Sequence, residues 1–241
     1  VTPRLSPLPD RFVASVASLH RVAEQLLAPA RKPDNEISLR AAPGGFGTPE
    51  FEHEGAVHRV RVEGAELVHE VDGAERRAGL GTLAEGATAV ADLLPPGPPL
   101  DSEPLEIDRA ASRALGELYG FGDAVLARLV DAAGREDEAT IPRLWPEHFD
   151  IAIELGPEAR GLRANYGLSP GDADHPEPYL YVGPWTAEVS GALWNGQGFN
   201  GAELGYSELL AAEDRSAVAF DFFATRRDAL NETRPPTEEE T

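Results

Sequence analysis

The residues best suited to chemistry lie in two short stretches of the second half. The first is Trp145-Pro146-Glu147-His148-Phe149-Asp150. On a strand, where side chains alternate, His148 and Asp150 project from one face. A carboxylate beside an imidazole orients the ring and raises its basicity. The pair fits a general base with its orienting acid, or two ligands of a metal. The plainer alternative is a segment leading into a strand, with Trp145 in the core and His148 bound to a backbone carbonyl. The second stretch is Asp172-Ala173-Asp174-His175-Pro176-Glu177. Its carboxylates suit hard cations such as Ca²⁺ or Mg²⁺, and its imidazole extends the choice to Mn²⁺ or Zn²⁺. The spacing is not that of an EF-hand, and Asp, Gly and Pro at this density also build ordinary turns. If the strands beginning near 149 and ending near 167 pair, the loop after Ser169 hangs beside His148. His148, Asp150, Asp172 and His175 then become candidate ligands of a divalent metal in a hydrolase.

Aromatic residues gather in the same half: Trp145, Tyr166, Tyr179, Tyr181, Trp185, Trp194 and Phe199. Tyr179 and Tyr181 share a strand face. Rings at this density line a pocket for a small organic or sugar-like ligand, or fill a core otherwise short of large side chains. Trp145, His148, Asp150, Tyr179 and Tyr181 are the candidate ligand-binding residues. Other stretches carry less. Pro43-Gly44-Gly45-Phe46-Gly47-Thr48 has neither a following Gly-Lys-Ser/Thr nor dinucleotide-fingerprint spacing, and reads as a hairpin or Ω-type loop. His20 lies beside an apolar helical stripe and reads as a hydrogen-bonded core histidine. His58 and His69 can face each other across a hairpin, but two histidines fall short of a metal site. No Gly-x-Ser-x-Gly elbow is present, and the chain has no Cys, which removes thiolate catalysis and Cys-ligated zinc.

The elements that must position these groups follow from periodicity and punctuation. Phe12, Val13, Val16, Leu19, Ala23, Leu26 and Leu27 recur at helical spacing, with Asp10 as the expected cap. A strand over 37–41 leads into a meander turning at Glu54-Gly55, Glu63-Gly64 and Asp72-Gly73. A helix is expected over 82–94. The Pro-rich stretch 95–104 is the best internal boundary. Residues 107–133 read as two helices bent at Gly120-Phe121-Gly122. Phe149–Leu155 alternates cleanly, followed by strands over 161–167 and 179–182, a glycine-rich loop over 191–205 and a helix over 214–230. Residues 232–241 read as a disordered acidic tail. These signals predict an α+β fold: antiparallel sheets, an N-terminal meander plus a second strand group, covered by four or five helices. Residues 1–94 and 105–231 form its two halves, packed as one unit.

The order of several blocks resembles a family of bacterial proteins, many of them actinobacterial, that carry a domain of unknown function. The blocks are Ser18-Leu19-His20-Arg21, Phe149-Asp150-Ile151-Ala152 after Trp145, Ser169-Pro170-Gly171 and Pro178-Tyr179-Leu180-Tyr181. The resemblance covers most of the chain in block order. It implies an architecture and no activity. Members carry a His- and Trp-rich segment after the first helix, whereas this chain has Pro33-Asp34-Asn35-Glu36-Ile37 there.

Composition narrows the function classes. The chain has 241 residues with 42 acidic against 21 basic side chains, a formal charge of −21. Such a surface repels a nucleic-acid duplex or an anionic membrane. Lys32 is the lone Lys beside many Arg, a bias expected of a GC-rich, actinobacterial type of genome. Residues 1–9 lack the apolar core of a signal peptide, and no run approaches the ~20 apolar residues of a membrane span. A cytoplasmic protein is the expectation. The leading functional expectation is a soluble small-ligand-binding module whose aromatic and His/Asp-lined pocket lies in the second half. The alternatives are the metal-dependent hydrolase above and a structural or protein-interaction role marked by an exposed apolar patch. Apart from that divalent metal, no cofactor is predicted, and the sequence leaves catalysis open.

Overall fold

Apolar residues at helical spacing build the first helix, α1 (Phe12–Val22), which buries Phe12, Val16, Leu19 and Val22. The computed structural model describes residues 4–31, 35–172 and 175–232; the acidic tail expected from 232 onward lies outside them beyond its first residue. Arg11, not Asp10, stands at the N-cap of α1, and no side chain caps it. The helix runs through a π-helical turn, Ala23–Leu27, into a last turn, α2 (Ala28–Ala30).

Six strands then form the first sheet: β1 (Arg40–Ala42), β2 (Gly45–Gly47), β3 (Phe51–His53), β4 (Ala56–Glu63), β5 (Glu66–Val71) and β6 (Ala74–Gly79). Their order is β1-β2-β4-β5-β6, with β3 also paired to β4. The β5–β6 turn has positive φ at both Asp72 and Gly73 (48° and 83°), the geometry a two-residue hairpin requires. Val60, Val62 and Leu67 face the core. On the other face Arg61 pairs with Glu70 and Glu75, and Arg77 with Glu63 and Glu66.

Two expected helices differ from their sequence signals. Over 82–94 only α3 (Leu83–Ala87) is helical, started by Thr82, whose hydroxyl accepts the Glu85 N–H at 3.1 Å. Over 107–133 a single 23-residue helix, α4 (Arg109–Asp131), replaces the expected bent pair. Asp108 caps it, accepting from the N–H groups of Ala110 and Ala111. Its glycines serve close packing. A Cβ on Gly116 would stand 2.6 Å from the Gly45 nitrogen, and one on Gly122 would stand 2.8 Å from Ile151 Cγ2.

The second sheet is a simple meander: β7 (Arg143–Trp145), β8 (Asp150–Leu155), β9 (Ala164–Ser169), β10 (Tyr179–Pro184) and β11 (Ala202–Gly205), in the order β11-β10-β9-β8-β7. Helices α5 (Tyr206–Ala211) and α6 (Arg215–Glu232) follow, and Asp214 accepts the Ala217 N–H at the start of α6. Among the described residues the architecture is α+β, with two antiparallel sheets and covering helices, as the sequence predicts. Leu39 and Leu144 exchange backbone hydrogen bonds of 2.8 and 2.9 Å, joining the sheets edge to edge. One buried cluster draws on both halves, from Leu5 and Phe46 to Phe149 and Phe223. Helix α4 contacts β1 and β2 of one sheet and β8 and β9 of the other, so the open face of the second sheet is held rigidly from beneath.

Candidate functional site

Alternation along β8 divides its side chains. Ile151, Ile153 and Leu155 are fully buried on the α4 side; Asp150, Ala152 and Glu154 take the opposite face. The register then assembles that face. Ala152 stands opposite Gly167 on β9, Gly167 opposite Tyr181 on β10, and Tyr181 opposite Glu203 on β11. Ser169 stands opposite Tyr179.

The turn into β8 is pinned. Trp145 pairs with Asp150, and the Phe149 N–H closes the turn onto the Trp145 carbonyl at 2.7 Å. Phe149 has φ +53°, a left-handed conformation that costs a bulky residue about 1–3 kcal/mol. The surroundings hold it there. Its ring stacks on His20 at 4.9 Å and meets Phe46 and Tyr119 edge-on at 5.2 and 5.6 Å. Its carbonyl accepts the Tyr119 hydroxyl at 2.6 Å, and His20 Nε2 donates to the Pro146 carbonyl at 2.8 Å. The backbone before Asp150 is thereby locked. His148 lies in this turn, exposed, and not on the strand; period-two alternation begins only where the ladder does.

Asp150 is 7% exposed. Its Oδ2 accepts the Tyr181 hydroxyl, while Oδ1 is buried with no hydrogen-bond partner among the described residues. Burial raises the carboxyl pKa above its ordinary value, partly offset by the Tyr181 hydrogen bond and the nearby His148. Burial and the Asp150 charge push the Tyr181 phenol well above the usual range, so it stays a donor. Tyr181 reaches Asp150 because the strand between them carries glycine. Its ring lies over Gly167, where a Cβ would stand 2.6 Å from the ring carbons and the hydroxyl.

Two adjoining hollows open on this face, of about 530 and 640 Å³, within the ordinary size of small-molecule sites. Both are lined by Glu147, His148, Asp150, Asn165 and Tyr181. The first adds Ser169, Asp172, Tyr179 and Phe199; the second adds Arg143, Trp145, Glu154 and Trp185. The candidates Trp145, His148, Asp150, Tyr179, Tyr181 and Asp172 therefore all line this composite cleft. His175 does not line it; its ring stacks on Tyr179 at 4.2 Å, and its N–H donates to Asp172 Oδ1 at 2.8 Å. Asp174 lies outside the described residues. Among the described residues no three His, Asp or Glu side chains stand close enough to hold a metal ion.

Sequence reasoning missed Asn165, Gly167 and Glu203. Asn165 accepts the Trp185 indole N–H at 2.9 Å, tying the loop after β10 to the sheet. Glu203 has a buried Oε2 with no hydrogen-bond partner among the described residues. A glycine between aromatic strands was the one available signal for Gly167. No family model, curated protein or solved structure matches the chain, so the function is argued from this geometry.

Proposed function

We propose that the chain is a receptor for a small organic molecule, bound on the open face of the second sheet between the 146–149 turn and the loop after β10. The observation behind this reading is the composite cleft itself: two adjoining hollows walled by Trp145, Tyr179, Tyr181 and Trp185, with the buried Asp150 lining both, the concave, ring-lined form of a small-molecule site. The locked Phe149 backbone before Asp150 and the Gly167 seat under Tyr181 support the same reading, since both hold one carboxyl in one orientation. A cytoplasmic setting is part of this reading, and no described helix is long and apolar enough to cross a membrane. A metal-dependent hydrolase using His148, Asp150, Asp172 and His175 is the second reading; its support is that three of the four line one hollow.

The test is a fragment screen by NMR on the full chain. Saturable binders are expected to shift resonances of 145–150, 165–169 and 179–181, and Tyr181→Ala, which removes one ring of the wall, is expected to weaken them about tenfold. Shifts confined to other surfaces, or a folded Tyr181→Ala variant that binds unchanged, overturn the reading.

A further inference from the structure

The second hollow narrows the ligand class; this inference rests on the receptor reading above. Ladder parity puts Arg143, Trp145, Glu154 and Asn165 on the open face, since Arg143 stands opposite Ala152, Trp145 opposite Asp150 and Asn165 opposite Glu154. An indole stands toward each end of the hollow. Trp145 is level with Asp150, and Trp185 is tied to Asn165 at the level of Glu154. Those levels lie about 13 Å apart along β8. Between them the floor is Ala152 and the Tyr181 ring, which lies over Gly167.

Trp185 is 45% exposed, yet it is held in place. Its indole N–H donates to Asn165 Oδ1 at 2.9 Å, and its backbone N–H donates to the Arg163 carbonyl at 3.0 Å. The Arg163 guanidinium lies 5.5 Å from the ring centroid and is itself bound to Glu154 at 2.6 Å. A large ring fixed while half in water offers a stacking surface that loses little freedom on binding. The same hydrogen bond orients the Asn165 amide. With Oδ1 accepting from the indole, Nδ2 is a donor without an acceptor among the described residues.

Around the rings, Asn165 and Arg143 donate, Glu147 and Glu154 accept, and His148 does either. The charges are mixed: Arg143 stands against Glu147, and Arg163 neutralises Glu154. Neither an anion nor a cation is favoured by such a lining. A flat apolar molecule would strip water from these groups without replacing it. Hydroxyls that both donate and accept, on a frame with apolar C–H faces, meet the polar groups and the rings together. We infer that the ligand is a neutral saccharide, with one sugar ring stacked on Trp185, a second beside Trp145, and Asn165 Nδ2 donating to a hydroxyl between them.

The experiment titrates the full chain with four neutral disaccharides, maltose, cellobiose, lactose and trehalose, following the indole N–H resonances. At least one is expected to bind saturably, shifting Trp145 and Trp185 but not Trp194, which lines neither hollow. The cationic dimer of glucosamine and the anionic dimer of galacturonic acid are expected to bind about tenfold more weakly. Trp185→Ala is expected to weaken the bound disaccharide about tenfold. In the unmodified protein, sugar C–H protons are expected to show nuclear Overhauser effects to the Trp185 ring, a readout that survives if the variant misfolds. If fragments of the earlier screen bind this face and no disaccharide does, the saccharide class is overturned and the receptor stands; if neither binds, both fail. A preference for either charged dimer, a folded Trp185→Ala variant that binds unchanged, or missing Overhauser effects each overturn the inference.

Discussion

A buried pair of polar side chains lies against each sheet, His58 with His69 and Asp150 with Tyr181, and the two pairs differ in completeness. In the first half, His58 Nδ1 and His69 Nε2 lie 3.0 Å apart, and His69 Nδ1 lies 3.0 Å from the Ala89 carbonyl. A carbonyl only accepts, so Nδ1 of His69 carries the proton, Nε2 accepts, and His58 donates. Nδ1 then cannot also accept from Arg76, 2.9 Å away; that guanidinium is satisfied by Asp92 at 2.6 Å. Phe51 and His53 pack on the His58 ring. His69 is completely buried, with both ring nitrogens engaged. In the second half, Asp150 is nearly as buried and lines the cleft, but its Oδ1 is buried with no hydrogen-bond partner among the described residues. Sealed and complete, the histidine pair is part of the scaffold. The half-satisfied carboxyl lines the cleft proposed as the binding site. What distinguishes them is whether the chain itself supplies the last partner.

Removing a member of the complete pair breaks the comparison hardest. His69→Ala leaves His58 and the Ala89 carbonyl unpaired and opens a cavity, and is expected to cost about 3 kcal/mol in urea denaturation with no effect on binding in the second half. A loss below about 1 kcal/mol shows that the pair contributes little to the scaffold. A smaller effect is expected from Gly167→Ala. Replacing glycine in a strand ordinarily stabilises; here the added methyl meets the Tyr181 ring, and a cost of about 1–2 kcal/mol is expected, together with loss of ligand affinity. A neutral or stabilised variant removes the Gly167 seat from the account.

The smallest effect, and the one that most sharpens the contrast, is in pH. Burial first, with Arg76 and His58 adding to it and Ala89 and Asp92 opposing, lowers His69 below its ordinary 6.5. The unfolded chain then binds more protons, so the contribution of neutral His69, full above that value, is lost as pH falls through the depressed pKa. Asp150 has the opposite sign. Burial and Glu147 raise it above its ordinary 3.8 against Tyr181 and His148, so its contribution is full below that value and is lost as pH rises through the raised pKa. Urea midpoints between pH 4 and 7 are expected to fall more steeply with acid in Asp150→Asn than in the unmodified protein, and less steeply in His69→Ala. Parallel profiles for all three proteins refute the assignment.

Much of this is already present in the order of residues. Asp72-Gly73 specifies its hairpin locally, because both positions need positive φ and little else decides the turn. The alternation from Asp150 to Leu155 sorts core from open face, because side-chain direction in a ladder depends only on parity. The acids and rings of the site were recognisable by type for the same reason. Local pattern failed where a distant neighbour overrides it. Gly120-Phe121-Gly122 reads as a break, yet α4 continues through it, since Ile151 needs the room that Gly122 leaves. His148 shares parity with Asp150 but falls in a turn whose left-handed Phe149 is held by His20, Phe46 and Tyr119.

Composition, turn chemistry and period thus determined by themselves the fold class, the two strand groups and the candidate residues of the open face. Only the tertiary structure decided that Tyr181 would cross a glycine to reach Asp150, that the carboxyl would be sunk with only one oxygen paired to a side chain, and that His58 and His69, able to face each other across their hairpin, would end buried under the other sheet. The first set depends on neighbours within a few residues. The second depends on contacts across 11, 14 and 31 positions, between His58 and His69, Gly167 and Tyr181, and Asp150 and Tyr181, and no local rule carries that information.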